Sequence, residues 1–154
     1  MLKHQKQPNQ QRTQRGATLP EFALVGLVFL IVVFGIVECS RLLWTQNMLT
    51  DAARRGARYA ATTASTGTTA VKNMVLYGTT TAGASGTEVV PGITAANVTV
   101  NYSAGYDTKN GNVTVVITGY QFTLNIPLIG RTLTMPDFKA TMTAESAGRV
   151  PTDI

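Results

Sequence analysis

The chain has 154 residues, a formal net charge of +5 and one cysteine. That is enough for one modest domain beside an anchor, and it leaves no internal disulfide. The charge is concentrated: Lys3, Lys6, Arg12 and Arg15 fall in residues 1–16, which hold no acid, and the remainder carries nine basic against eight acidic residues. With no basic-aromatic platform either, the composition argues against nucleic-acid binding. The single histidine, His4, lies near the start and Cys39 at the edge of an apolar run, which is poor material for histidine acid–base catalysis or a metal or cofactor site.

Residues 1–16 are Gln-rich, polar and cationic, contain Pro8 and have no apolar periodicity, the composition of a disordered leader. Their Lys and Arg side chains should hold this end in the cytoplasm, although Arg41, Arg54, Arg55 and Arg58 beyond the apolar run oppose that bias. Residues 22–37 are apolar without interruption. At 1.5 Å per residue they reach about 24 Å, short of the roughly 30 Å hydrocarbon layer. Counting back to Ala17 completes a span and puts Glu21 at or inside the lipid boundary, where a carboxylate must be hydrated, protonated or paired. Pro20 fits the first turn of such a helix, where its missing N–H has no partner to lose.

Three ordinary readings compete at this end. A secretory signal peptide needs a small-x-small cleavage site just after its apolar core, and Val37-Glu38-Cys39-Ser40 offers none. A lipoprotein acylated on Cys39 would want small residues before the cysteine and meets Glu38. An uncleaved membrane anchor stays open.

The stretch Arg15-Gly16-Ala17-Thr18-Leu19-Pro20-Glu21-Phe22 resembles the processing site of type IV prepilins, with a basic leader, a glycine, a Glu five residues later and a long apolar helix. The resemblance implies cleavage by a prepilin peptidase between Gly16 and Ala17, leaving Glu21 as the fifth residue of the mature chain. It also implies that Glu21 pairs with the freed amine of Ala17 on a neighbouring subunit and sets its register in a filament. The alternative for Glu21 is a place among hydrated headgroups with no protein partner.

Nothing in the sequence stops the helix after Val37. Glu38 and Arg41 are three apart and can pair at the outer interface, and Trp44 is placed as an interfacial aromatic. From Leu42 to Ala61 the pattern is amphipathic: Leu49, Ala52, Ala53, Gly56 and Ala60 share one stripe, with Asn47, Asp51, Arg54, Arg55 and Arg58 largely off it. Asp51 is in reach of Arg54 and Arg55. Residues 17–61 as one helix would be about 68 Å long, far more than a plain anchor needs. Ala52, Gly56 and Ala60, each four apart, allow close approach of another backbone, either this chain's own sheet or a partner helix. The three arginines form a solvated face or one that meets acidic groups.

Together these segments, GATLPEFALV and then GIVECSRLLWTQNMLTDAARRGARYAA, are similar to the TadE-like family of tight-adherence pilus proteins. Gly16, Ala17, Glu21, Phe22, Ala23 and Leu24 carry the first part of the resemblance. Gly35, Glu38 and Arg41 carry the second, and Ala52, Ala53, Arg54, Gly56, Ala57, Arg58 and Ala60 the third. Pro20 stands where the family more often has Val or Ala.

Past residue 61 the chain becomes rich in Thr, which favours strands. Residues 62–69 read as a linker and 70–77 as a short helix; 78–86 read as an exposed loop. Val98, Val100 and Tyr102 alternate with polar residues in a half-buried strand. Lys109-Asn110-Gly111-Asn112 is a hairpin signal, and residues 113–126 form the return strand with a bulge or bend at Gly119. Residues 127–131 turn the chain, and 132–145 supply a last strand broken near Pro136.

The expectation is therefore an α+β, pilin-like chain: a leader (1–16), a transmembrane and stalk helix (17–61), and an exported head (62–154) whose small antiparallel sheet is covered by the amphipathic part of the helix. The resemblance implies a minor pilin or pseudopilin of a Tad-type pilus, anchored in the inner membrane with its head exported. Its partners would be the prepilin peptidase, other pilins and the pilus assembly platform, with no small-molecule substrate. The rival is an uncleaved single-pass protein presenting a binding head. A membrane-bound enzyme is a third, disfavoured because Glu88, Asp107, Asp137 and Glu145 are scattered without evident pairing.

Overall fold

The computed structural model describes residues 18–63, 66–84, 87–103, 111–126 and 129–143. The leader, the Gly16–Ala17 junction, the Lys109-Asn110 half of the hairpin turn, Pro127 and residues 144–154 lie outside the described residues. One helix, α1 (Thr18–Thr62), runs 45 residues without a break. Among the described residues there follow α2 (Thr68–Tyr77), a 3-10 turn (Ala95–Asn97), and the strands β1 (Val98–Tyr102), β2 (Asn112–Ile117), β3 (Gln121–Ile126), β4 (Ile129–Thr134) and β5 (Phe138–Thr143).

All strand pairs are antiparallel, but they form two sheets rather than the single one expected: β1-β2-β5 with β2 central, and a separate β3-β4 hairpin. The expected return strand over 113–126 is two strands, because the chain swings out of the first sheet at Gly119, whose φ of +66° suits glycine. Asn97 secures that exit, with its side-chain amide donating to the Thr118 carbonyl (2.9 Å) and its own carbonyl accepting from the Thr118 N–H (2.9 Å). The last strand likewise divides at Pro136, where buried Met135 donates its N–H to the Tyr120 carbonyl. Arg131, expected in a turn, belongs to β4 opposite Leu124.

The core follows from two periodicities meeting. On β2, Val113, Val115 and Ile117 alternate inward and are fully buried. On α1, Leu49, Ala52, Ala53, Gly56, Ala57, Ala60 and Ala61 repeat at helical spacing and are buried. α2 enters from the side with Val71, Val75 and Leu76, and ends at Gly78 in the left-handed conformation, whose N–H bonds the Met74 carbonyl. The small residues of α1 bring its backbone close to both neighbours. A Cβ built on Gly56 would overlap a methyl of Val75 and lie 3.6 Å from Val115. The cover over the stalk helix is thus shared between the sheet and α2, which the sequence reading assigned to the sheet alone.

Candidate membrane and assembly interface

The two halves of α1 have opposite surroundings. Over residues 18–37 almost nothing in the chain covers the helix: Phe22 is 78% exposed, and Leu24, Val28, Phe29, Leu30 and Ile36 all stand open. Its most apolar 18-residue window has a mean hydropathy of 2.8 and is 6% buried. Twenty residues at 1.5 Å each give about 30 Å, the thickness of a bilayer's hydrocarbon layer. A soluble core helix would be covered; this one is bare along a membrane's thickness. Glu21 lies in the first turn of that bare half and is exposed, with its charge at the end of the helix dipole that favours an acid.

The environment changes at Glu38, the first buried residue of α1. Its Oε2 lies 3.0 Å from Nη2 of Arg41, one turn on. The contact is a charge pairing without hydrogen-bond alignment at Oε2. Arg41 also leaves its own helix: Nη2 donates to the Thr123 carbonyl of β3, and the guanidinium stacks over the Phe122 ring, 4.6 Å from its centre. Thr45 returns its hydroxyl proton to the Arg41 carbonyl (2.9 Å), which lets a polar side chain be buried in the helix. Arg41 is 40% exposed, so solvent screening limits the ion pair to under about 1 kcal/mol. The stacking adds roughly 0.5–1 kcal/mol. The value of the arrangement is positional: it ties the β3-β4 hairpin to the stalk just past the apolar half.

Behind Arg41, Tyr120 donates its hydroxyl to the Pro91 carbonyl (2.7 Å). Burial pushes the Tyr120 phenol above its ordinary value of 10.0, and the nearby Arg41 charge partly opposes that rise. Between α1, β3 and the Pro91–Gly92 turn lies a cleft of about 450 Å³.

The other residues singled out from the sequence are placed as follows. Ala52, Gly56 and Ala60 are buried within the chain, facing α2 and the sheet. Arg54 and Arg58 are exposed, while Arg55 is half-buried beside Gly78. Asp51 is exposed, and among the described residues the salt bridge is Glu38–Arg41; the pairing of Asp51 with Arg54 or Arg55 does not form. Cys39 is free and exposed. The stripe read from the sequence leaves out Ala57 and Ala61, although both sit one turn beyond buried alanines and complete it. The sequence reading also leaves out Phe122 and Thr123, whose tie to Arg41 spans 82 positions and leaves no local pattern.

No curated protein and no solved structure matches the chain. The family model described as TadE-like protein does match, over residues 16–58. That segment holds Glu21, the Glu38–Arg41 pair and the buried Ala52–Gly56 stripe. Along residues 16–58, therefore, this chain is similar to the TadE-like protein family, and the resemblance read from its motifs is matched by the family model.

Proposed function

We propose that the chain is a membrane-anchored structural subunit, a minor pilin or pseudopilin of a Tad-type pilus. One observation carries the reading. A single unbroken helix is bare and apolar for a bilayer's thickness and then buried under a small α+β head, and the TadE-like match covers both halves. In this role a prepilin peptidase cuts between Gly16 and Ala17. The new amine and Glu21 then act in registering one subunit against the next, beside other pilins on an inner-membrane assembly platform. The head is exported. No residue is catalytic in this scheme; Gly16 and Glu21 are features that another enzyme and a neighbouring subunit recognise.

The test is N-terminal sequencing of the chain recovered from its native membrane, with mass spectrometry of sheared surface fibres. Ala17 as the first residue is the expected result. A chain that keeps Met1 and is missing from the fibres supports the uncleaved anchor instead.

A further inference from the structure

We propose that the cleft between α1 and β3 binds the phosphodiester headgroup of one membrane phospholipid. The inference rests on reading residues 18–37 as the bilayer span. Arg41 lies four residues past Val37, about 6 Å along the helix, and Trp44 about 10 Å. A headgroup layer adds roughly 5–8 Å beyond the hydrocarbon on each side. Helical side chains lean toward the helix N-terminus, which here carries Arg41 and Trp44 down toward the lipid. The cleft therefore opens at headgroup height.

Its lining suits a phosphodiester. Arg41 supplies the charge, Gln121 and Asn125 add amides from exposed positions of β3, and the 58%-exposed Trp44 forms a flat wall. No acid lines the cleft among the described residues. Glu38 and the Thr123 carbonyl both engage Nη2 of Arg41 and its Nε is buried, so Nη1 is the part of the guanidinium left to donate to a phosphate oxygen. A lipid, rather than a free phosphate, is indicated by what lies directly below. Val37, Phe34 and Leu30 follow Arg41 down one helix face at spacings of four, three and four, and all are exposed. A headgroup on Arg41 would lay its acyl chains along that apolar strip.

The experiment uses the full chain extracted in mild detergent, titrated with phosphatidylglycerol and followed by native mass spectrometry. Glycerol phosphate and inorganic phosphate serve as parallel probes. The expected result is one retained phospholipid per chain, with retention falling roughly tenfold in Arg41→Gln, which loses the charged fork. Asn125→Phe, which fills the cleft from an exposed strand position and leaves the Arg41 contacts in place, should lower it as well. That second variant carries the test if Arg41→Gln does not fold. Equal retention by wild type and Asn125→Phe would mean nonspecific surrounding lipid and overturn the site, as would a wild type with no bound lipid. Glycerol phosphate binding as well as the lipid would overturn the lipid assignment. Alkaline washing of membranes separates the two readings: a chain that stays embedded but fails these tests loses only the headgroup site. One that washes off loses the span and the site together.

Discussion

Gly56 and Val75 occupy space that could not hold one more carbon: a side chain begun at Gly56 would enter the Val75 methyl, with Val115 3.6 Å away on the other side. Val75 is fully buried and β-branched, so its single favoured rotamer gives it little room to move aside. This contact is where stalk, second helix and central strand meet.

Gly56→Leu should therefore destabilise the head by about 1–3 kcal/mol, the usual range for overpacking. For a domain of this size that is a fall of about 4–24 °C, at roughly 4–8 °C per kcal/mol. Thermal melting of the full chain in detergent measures it. Val75→Ala in the same chain should restore part of the loss, since it empties the space that the leucine needs. A double-mutant cycle with no coupling would contradict the contact.

Leu49 and Leu30 lie on the same helix with opposite surroundings, fully buried and 51% exposed. Leu49→Ala should cost about 2–5 kcal/mol in the head's unfolding free energy. Leu30→Ala should leave that transition unchanged within about 0.5 kcal/mol. A comparable loss from both would mean that the apolar half packs on the head after all.

Arg41→Ala removes the stacking on Phe122 and the donor to the Thr123 carbonyl together. Amide hydrogen exchange should quicken in β3 and β4, which form their own two-stranded sheet. β2, held on both edges, should keep its protection. Uniform loss of protection across both sheets would instead mark Arg41 as a contributor to global stability.

Tyr120 gives the alkaline limb of stability a definite sign. Its folded-state phenol titrates above 10.0 because it is buried, so the folded chain holds its proton where the unfolded chain has lost it. Stability from this group is complete below pH 10.0 and declines as pH rises through the folded value. Tyr120→Phe should flatten that decline. It should also cost about 1 kcal/mol at neutral pH through the lost hydrogen bond to Pro91. Denaturant unfolding across the alkaline range checks both effects.

Glu21→Ala addresses assembly rather than folding. Under the proposed function the variant should still be cut after Gly16, yet be missing from sheared fibres. Mass spectrometry of membrane and fibre fractions reads both outcomes, and normal incorporation would remove Glu21 from the registry role.

How much of this was legible in the sequence depended on the range of the interactions. α1 could be read almost to its ends, because apolar continuity and then a 3.6-residue stripe are local patterns. Glu38 and Arg41 could be matched because they are one turn apart. α2, β1 and the break at Pro136 were also visible in composition and alternation. The division into two sheets was not. Gly119 signals a bulge or bend, but whether the chain then stays within a sheet or leaves it is decided by Asn97 holding Thr118 from another part of the chain. Likewise nothing near Arg41 announces Phe122. At the candidate site, the apolar span was legible, and the cleft was not, since its walls come from three separated segments.

The unbroken course of α1 has a mechanical consequence. A helix with no interruption from Thr18 to Thr62, gripped along its far half by α2 and by strands β2, β3 and β5, behaves as a stiff rod fixed to its cap. Turning or lifting the bare apolar end must carry the cap with it. Were that end held in a membrane, as proposed, movement generated there would thus reach the sheets of the head as rotation or thrust, with no joint in α1 to absorb it.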